Sequence, residues 1–245
     1  MKLRFLYVFP IIFILIGTVV YNTNTVNNVS MSPSTINSID LQNLNKDFPY
    51  PLIASSEVKD IVAKGNTISD MSKEFNDLGE IVKLSQAIFE GEVVNVAYFD
   101  LKNGPTCTKY AVKISKVLTG NLKKDDIVNV IELGGVTTAY NRIQLYGKEK
   151  EFPNISEEDS KKQYVQINWN GTPLSVVGDK VLLFAGQDTQ DDWKLPKDYY
   201  YALGYKDGKF NIEGTNVERK VRPNESKKSF KMSEENIVAE IKKFI

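Results

Sequence analysis

The chain has 245 residues, of which 42% are apolar and 11% aromatic, a composition that buries a core and excludes global disorder. Its 31 basic residues balance 31 acidic ones, so the basic face needed to bind a phosphate backbone is missing and no nucleic acid is expected as a partner. There is no histidine and one cysteine, Cys107, which removes Ser-His and Cys-His nucleophilic sites, imidazole bases, His-ligated zinc and any disulfide within the chain, and leaves carboxylate, lysine, tyrosine or serine chemistry.

In chain order, the first element is Phe5 to Tyr21, seventeen residues without a charge. A spanning helix takes roughly 20 apolar residues with a lower limit near 17, so the run sits between a short membrane span and a long signal-peptide core. Lys2 and Arg4 precede it, and by the positive-inside rule they hold the N-terminus in the cytoplasm and send the remainder out. No alanine occurs before Ala54 to form a good cleavage site. The expectation is an uncleaved single-pass anchor in the cell membrane with the domain outside; the alternative is a cleaved signal peptide and a secreted protein.

Residues 22–60 read as a polar tether, rich in Asn, Ser and Thr and interrupted by Pro33, Pro49 and Pro51. Residues 61–245 form the extracytoplasmic domain. Met71, Phe75, Leu78 and Val82 fall at helical spacing, with Ser69 or Asp70 as cap. The period then changes to two. Ala87 to Ala97 is a long strand with Gly91 at a bulge, Thr108 to Ser115 alternates cleanly, and Asp126 to Leu133 is a third strand that ends in Gly134-Gly135. Lys148 to Lys162 is highly charged and contains Pro153, so it is expected as an exposed loop between short apolar stretches at Ile143 to Tyr146 and Tyr164 to Trp169. Lys180 to Ala185 suits a strand covered on both faces. Tyr199 to Tyr205 and Phe210 to Ile212 are expected to form a hairpin about Asp207-Gly208, with Val217 to Val221 as an edge strand. Ser233 caps a closing helix with Ile237, Ile241 and Phe244 on one face.

Several of these segments carry a resemblance. Ile88-Phe89-Glu90-Gly91-Glu92-Val93, then Tyr110, Val112 and Ile114, then Val117-Leu118 and Gly120, then Gly178-Asp179-Lys180-Val181-Leu182-Leu183-Phe184 and Gly208-Lys209-Phe210 resemble uncharacterised exported and membrane-anchored proteins of Gram-positive bacteria. Their domain is similar to the small antiparallel barrels of the OB or tissue-inhibitor-of-metalloproteinase type. The resemblance covers about Leu78 to Val221 and implies a fold; it carries no activity, and the charged stretch at Lys148 to Lys162 departs from it.

Three groups of residues are candidates for chemistry. Asp188, Asp191 and Asp192 offer oxygens to Ca²⁺, but they lack the glycine and terminal glutamate of a calcium loop, and a solvated turn is the favoured reading. Tyr199, Tyr200 and Tyr201 with Trp169 could make an aromatic platform for a sugar or peptide, although aromatics are also simply good strand formers. Cys107 has no base to activate it and reads as a structural cysteine. The expectation is therefore a mainly β protein with flanking helices, a small antiparallel OB-like barrel or sandwich, after an N-terminal transmembrane or signal helix. It would act as a binding or interaction module rather than an enzyme, with no cofactor, and with an envelope protein, a peptide or a wall polymer as partner. A secreted inhibitor of an extracellular enzyme and a carboxylate-based hydrolase are the alternatives.

Overall fold

The structure, a computed structural model, describes residues 48–67, 77–102, 104–147, 149–187, 194–204, 207–219 and 230–245. Phe5 to Tyr21, the helical stripe at Met71 and Phe75, and Asp188, Asp191 and Asp192 lie outside these residues. No helix among the described residues is long and apolar enough to cross a membrane.

The fold is mainly β with a few helices. Its strands are β1 (Ile53–Ala54), β2 (Ile61–Thr67), β3 (Ala87–Asp100), β4 (Thr106–Thr119), β5 (Ile127–Thr138), β6 (Tyr164–Trp169), β7 (Lys180–Gln187), β8 (Tyr200–Ala202), β9 (Lys209–Glu213), β10 (Asn216–Arg219) and β11 (Phe230–Ser233). The helices are α1 (Leu78–Leu84), α2 (Ala139–Tyr146), α3 (Glu157–Lys162) and α4 (Glu234–Ile241). The sheet runs β1-β3-β4-β5-β8-β7-β9-β10-β11, and β7 also pairs with β3, so β3, β4, β5, β8 and β7 form a ring of strands. Within the ring, β5–β8 is the one parallel contact, and it is only two residue pairs long.

Alternation explains which side chains fill the ring. Tyr110, Val112 and Ile114 of β4, Val128 and Val130 of β5, and Val181, Leu183 and Ala185 of β7 share one buried cluster with Phe89 and Val93. The other face of β7, Leu182 and Phe184, packs with Ile88 against Ile81 and Val82 of α1 and Ile237 and Ile241 of α4. β7 is thus apolar on both faces because both are covered. The two helices share one face of the sheet, since each buries its apolar stripe on the same strand. Asp77 caps α1 through Gly79 N at 2.6 Å, and Ser233 caps α4 through Asn236 N.

The register of β3 with β4 shifts between Glu90 and Gly91, where a bulge is expected, and also between Ile88 and Phe89 and between Val93 and Asn95, where none is. A Cβ on Gly91 would meet Lys113 O at 2.6 Å, so the close approach of β4 excludes a side chain there.

Other elements differ from expectation. β5 does not stop at Gly134-Gly135; it bends there, leaving β4 and pairing with β6 from Gly134 to Thr138. Gly134 has φ +90°, and a Cβ on Gly135 would lie 2.6 Å from Cys107 O, so the two glycines make a corner rather than an end. Ala139 to Tyr146 is a helix capped by Thr138 and closed by left-handed Gly147. The charged run folds in part: Ser156 caps α3 and exchanges hydrogen bonds with Asp159, while Glu157–Lys161 and Glu158–Lys162 pair one turn apart. β10 is not an edge strand, because β9 and β11 flank it. The polar tract joins the fold before residue 61, where Ile53 and Ala54 pair with Tyr98 and Ala97.

Asp207-Gly208 also does not turn a hairpin. β8 and β9 are both antiparallel to β7, along the same edge, so they run in one direction, with a bulge between them that Leu203 and Gly208 bracket opposite Phe184. Leu203 N donates to Phe184 O at 2.9 Å, and Phe184 N donates to Gly208 O at 2.8 Å. β5 pairs with β8 only at Val130 and Ile131 and, among the described residues, not with β9, so the ring has a seam beside this short contact.

Candidate functional site

The seam is filled by charge. Along β5 the inward positions are Val128, Val130 and then Glu132, and across the gap Lys209 follows directly after the bulge. Lys209 Nζ donates to Glu132 Oε1 at 2.8 Å, to Oε2 at 2.9 Å and to Ser175 Oγ at 2.6 Å. Ser175 Oγ in turn donates to Glu132 Oε2 at 2.8 Å. Ser175 is fully buried, and Lys209 and Glu132 are each 8% exposed.

Ser175 is delivered by the segment between β6 and β7. Asn170 and Gly171 turn the chain with positive φ, Asn170 N bonds to Thr67 O at 2.7 Å, and Gly178 N and Val93 N fasten the far end to β3 at 2.8 Å each. Asp179 closes the turn by accepting from Val176 N at 2.9 Å. Between this segment and β9 lies a pocket of about 230 Å³, with Pro173, Leu174 and Val176 as its apolar wall and Thr172, Asp179, Lys209 and Asn211 as its polar lining.

A serine 2.6 Å from a lysine invites comparison with a nucleophile and its base, but the chemistry is quenched in this arrangement. Lys209 Nζ directs its hydrogens at both Glu132 oxygens and at Ser175 Oγ, so it is the donor toward the serine rather than its base. Ser175 Oγ is fully enclosed and already donates its hydrogen to Glu132. Tyr110 lies beneath, its ring centroid 5.7 Å from Lys209 Nζ. Its hydroxyl is buried and lacks a hydrogen bond of good geometry, although Ser175 lies near enough to draw its pKa down somewhat. Burial, reinforced by the charges of Glu132 and Asp179, pushes the phenol well above its ordinary pKa, so it remains a neutral group. An unsatisfied buried hydroxyl costs about 1–3 kcal/mol, and Tyr110→Phe is accordingly expected to leave stability unchanged or raise it by up to about 1 kcal/mol. A urea midpoint lowered by the change would show that the hydroxyl is paired in solution.

The aromatic residues singled out in the sequence do not form one platform. Tyr199 and Trp169 belong to a cluster with Phe99, Ile131 and Leu133, whereas Tyr200 packs on the core of the ring and Tyr201 on the opposite, helix-covered side. Strand alternation separates the last two, and β8 begins only after Tyr199. Asp188, Asp191 and Asp192 lie outside the described residues, among which no group of three or more acidic, Cys or His side chains is placed to hold a metal. Cys107 is buried, and burial followed by the charge of Asp100 pushes its thiol up, as suits a structural cysteine.

Two further polar features were missed. Asp100, at the end of β3, accepts from Thr106 Oγ1 and Thr137 Oγ1 at 2.6 Å each, from Asn141 Nδ2 at 2.9 Å and from Tyr146 OH at 3.3 Å. This carboxylate ties α2 to the β3–β4 hairpin. Lys109, at an outward position of β4, is 2% exposed and lies 5.7 Å from the Phe48 ring and 5.5 Å from that of Tyr199. Phe48 also stacks on Tyr199 and meets Phe99 edge-on, so the start of the described chain covers this amine.

Burial pulls the Lys109 amine down to about 8, against the opposing charge of Asp198. The folded protein therefore releases this proton near pH 8, while the unfolded chain keeps it to about pH 10.4. Between those values the unfolded state binds more protons, so this group makes stability rise with pH, and below pH 8 it imposes a constant penalty. Lys109→Met is expected to raise stability at pH 7 by about 1–3 kcal/mol and to abolish the rise above pH 8. Denaturant midpoints measured from pH 7 to 10 test this, and a parallel pH dependence in both proteins contradicts it.

No protein-family model and no curated protein matches the chain.

Proposed function

We propose that the protein is a membrane-tethered, extracytoplasmic binding module without catalytic activity, whose partner is an envelope protein, a peptide or a wall polymer. The observation that carries this reading is the order of segments in the sequence: Lys2 and Arg4, the charge-free run Phe5 to Tyr21, a polar tract, and then a β domain. Such a run inserts with its positive end inside, and the tract places the domain within a short reach of the membrane. The quenched Ser175–Lys209–Glu132 group and the absence of histidine support binding rather than turnover.

We read the ring of strands as an OB-like barrel. Five strands closing through β3–β7 and through a short β5–β8 contact agree with the partly open, five-stranded form of that architecture. The seam beside the short contact, with its pocket, is then the natural binding face, as concave sites with a few convergent polar groups usually are.

The test uses the full-length chain in detergent micelles, immobilised and exposed to fractionated cell envelopes. The reading predicts saturable retention of a protein, peptide or wall-polymer component, lost when the domain is unfolded beforehand. Retention equal to that of the unfolded control overturns it.

A further inference from the structure

We infer that the pocket between the β6–β7 segment and β9 takes a primary ammonium carried on an aliphatic stem, namely a lysine side chain of a peptide partner. The inference deepens the proposed binding function and rests on it.

Charge decides the class of ligand. Lys209 directs its three N–H donors to Glu132 and Ser175, so its charge is cancelled within the cluster and no donor is left for a ligand anion. Asp179 also lines the pocket. One of its oxygens accepts from Val176 N, and it forms no ion pair among the described residues. Glu132, Lys209 and Asp179 together carry a net charge of −1, which an entering cation neutralises and an anion doubles. Thr172 and Asn211 also line the pocket, and both side chains carry an oxygen of the kind a three-donor ammonium requires.

Shape decides the rest. The volume of about 230 Å³ falls just under the usual range of about 300–1,000 Å³ for whole small-molecule sites, and suits one side chain rather than an intact ligand. Pro173, Leu174 and Val176 form its apolar wall, and Val176 is more than half exposed. A methylene stem lies along such a wall while its charged head reaches the acid, the arrangement that long cationic side chains adopt. A metal ion is a poorer match, since the lining holds a single carboxylate, Asp179, and hard cations gather six or more oxygens.

The test is ligand-observed NMR on the full-length chain in detergent micelles, with Nα-acetyl-lysine methylamide as probe and its norleucine and glutamate counterparts as controls. The lysine derivative is expected to bind at least tenfold more tightly than either control, with saturation transfer strongest at the side-chain methylenes. Asp179→Asn, which keeps an acceptor for Val176 N, is expected to weaken it at least tenfold, and Asn211→Leu to weaken it independently. Equal binding of lysine and norleucine, preference for glutamate, or indifference to Asp179→Asn overturns the inference. Tighter binding of free 1,4-diaminobutane than of a lysine-containing peptide overturns the assignment to a peptide. If the envelope fraction still binds Asp179→Asn as well as the parent chain, the ammonium site fails while the binding function stands; if neither chain binds the envelope, the function itself fails.

Discussion

Lys209→Met is expected to lower the free energy of unfolding by about 3–5 kcal/mol, the usual result of removing one partner from a buried ion pair. The ammonium is almost fully enclosed and makes three contacts shorter than 3 Å. Its loss leaves the Glu132 carboxylate buried with a single side-chain donor among the described residues, Ser175. The penalty is thus mainly that of an uncompensated charge, and replacing both partners, as Lys209→Met with Glu132→Leu, should recover most of it. Urea unfolding of the three proteins at neutral pH measures both effects. A single substitution costing under about 1 kcal/mol would mean that water reaches Glu132 and that the seam is open, and the site would then have to be reconsidered as a reactive one.

Gly208→Ala is the second change expected to be severe, at about 3 kcal/mol or more, because the obstacle is backbone rather than side chain. The added carbon would lie 2.6 Å from Leu203 N, 2.7 Å from Leu203 O and 2.7 Å from Phe184 O, and none of these atoms can rotate away. Overpacking into a well-filled interior ordinarily costs about 1–3 kcal/mol, and here relief requires the β7–β9 ladder to part at its first pair, Leu183 with Lys209. The same shift moves Lys209 from Glu132, so this substitution and Lys209→Met should be less than additive. A fully additive double mutant would show that the bulge and the ion pair are independent.

Much of the framework could be read from residue order. β3, β4 and β7 announced themselves through alternation or unbroken apolar character, and the closing helix through Ser233, Glu234 and its apolar spacing. What failed was long-range in origin. Gly134-Gly135 read as a stop because glycine ends strands locally, yet here it lets β5 turn a corner beneath Cys107. Asp207-Gly208 read as a hairpin turn for the same kind of reason, while pairing of both β8 and β9 with β7 makes it a bulge. The α3 helix did have a local signal, Ser156 followed three residues later by Asp159 with paired charges one turn apart, which Pro153 and the density of charge concealed.

The site was half legible. Glu132 shares the parity of Val128 and Val130, so a charge at an inward position marked it as a buried polar group. Lys209 carried no comparable mark, since its burial depends on the bulge that precedes it. Ser175 sits in an irregular segment where no periodicity applies, and only the fold brings it to the pair. The tyrosines drew attention by their repetition, yet consecutive strand residues point to opposite faces, and that rule already argued against a shared platform.

The claim that the protein works as a tethered surface module is tested most directly by fractionating cells that express the full-length chain and determining the mass of its N-terminal peptide. The account predicts the protein in the membrane fraction with Phe5 to Tyr21 intact. A protein released into the medium and beginning after Tyr21 would contradict the tether and make this a diffusible factor.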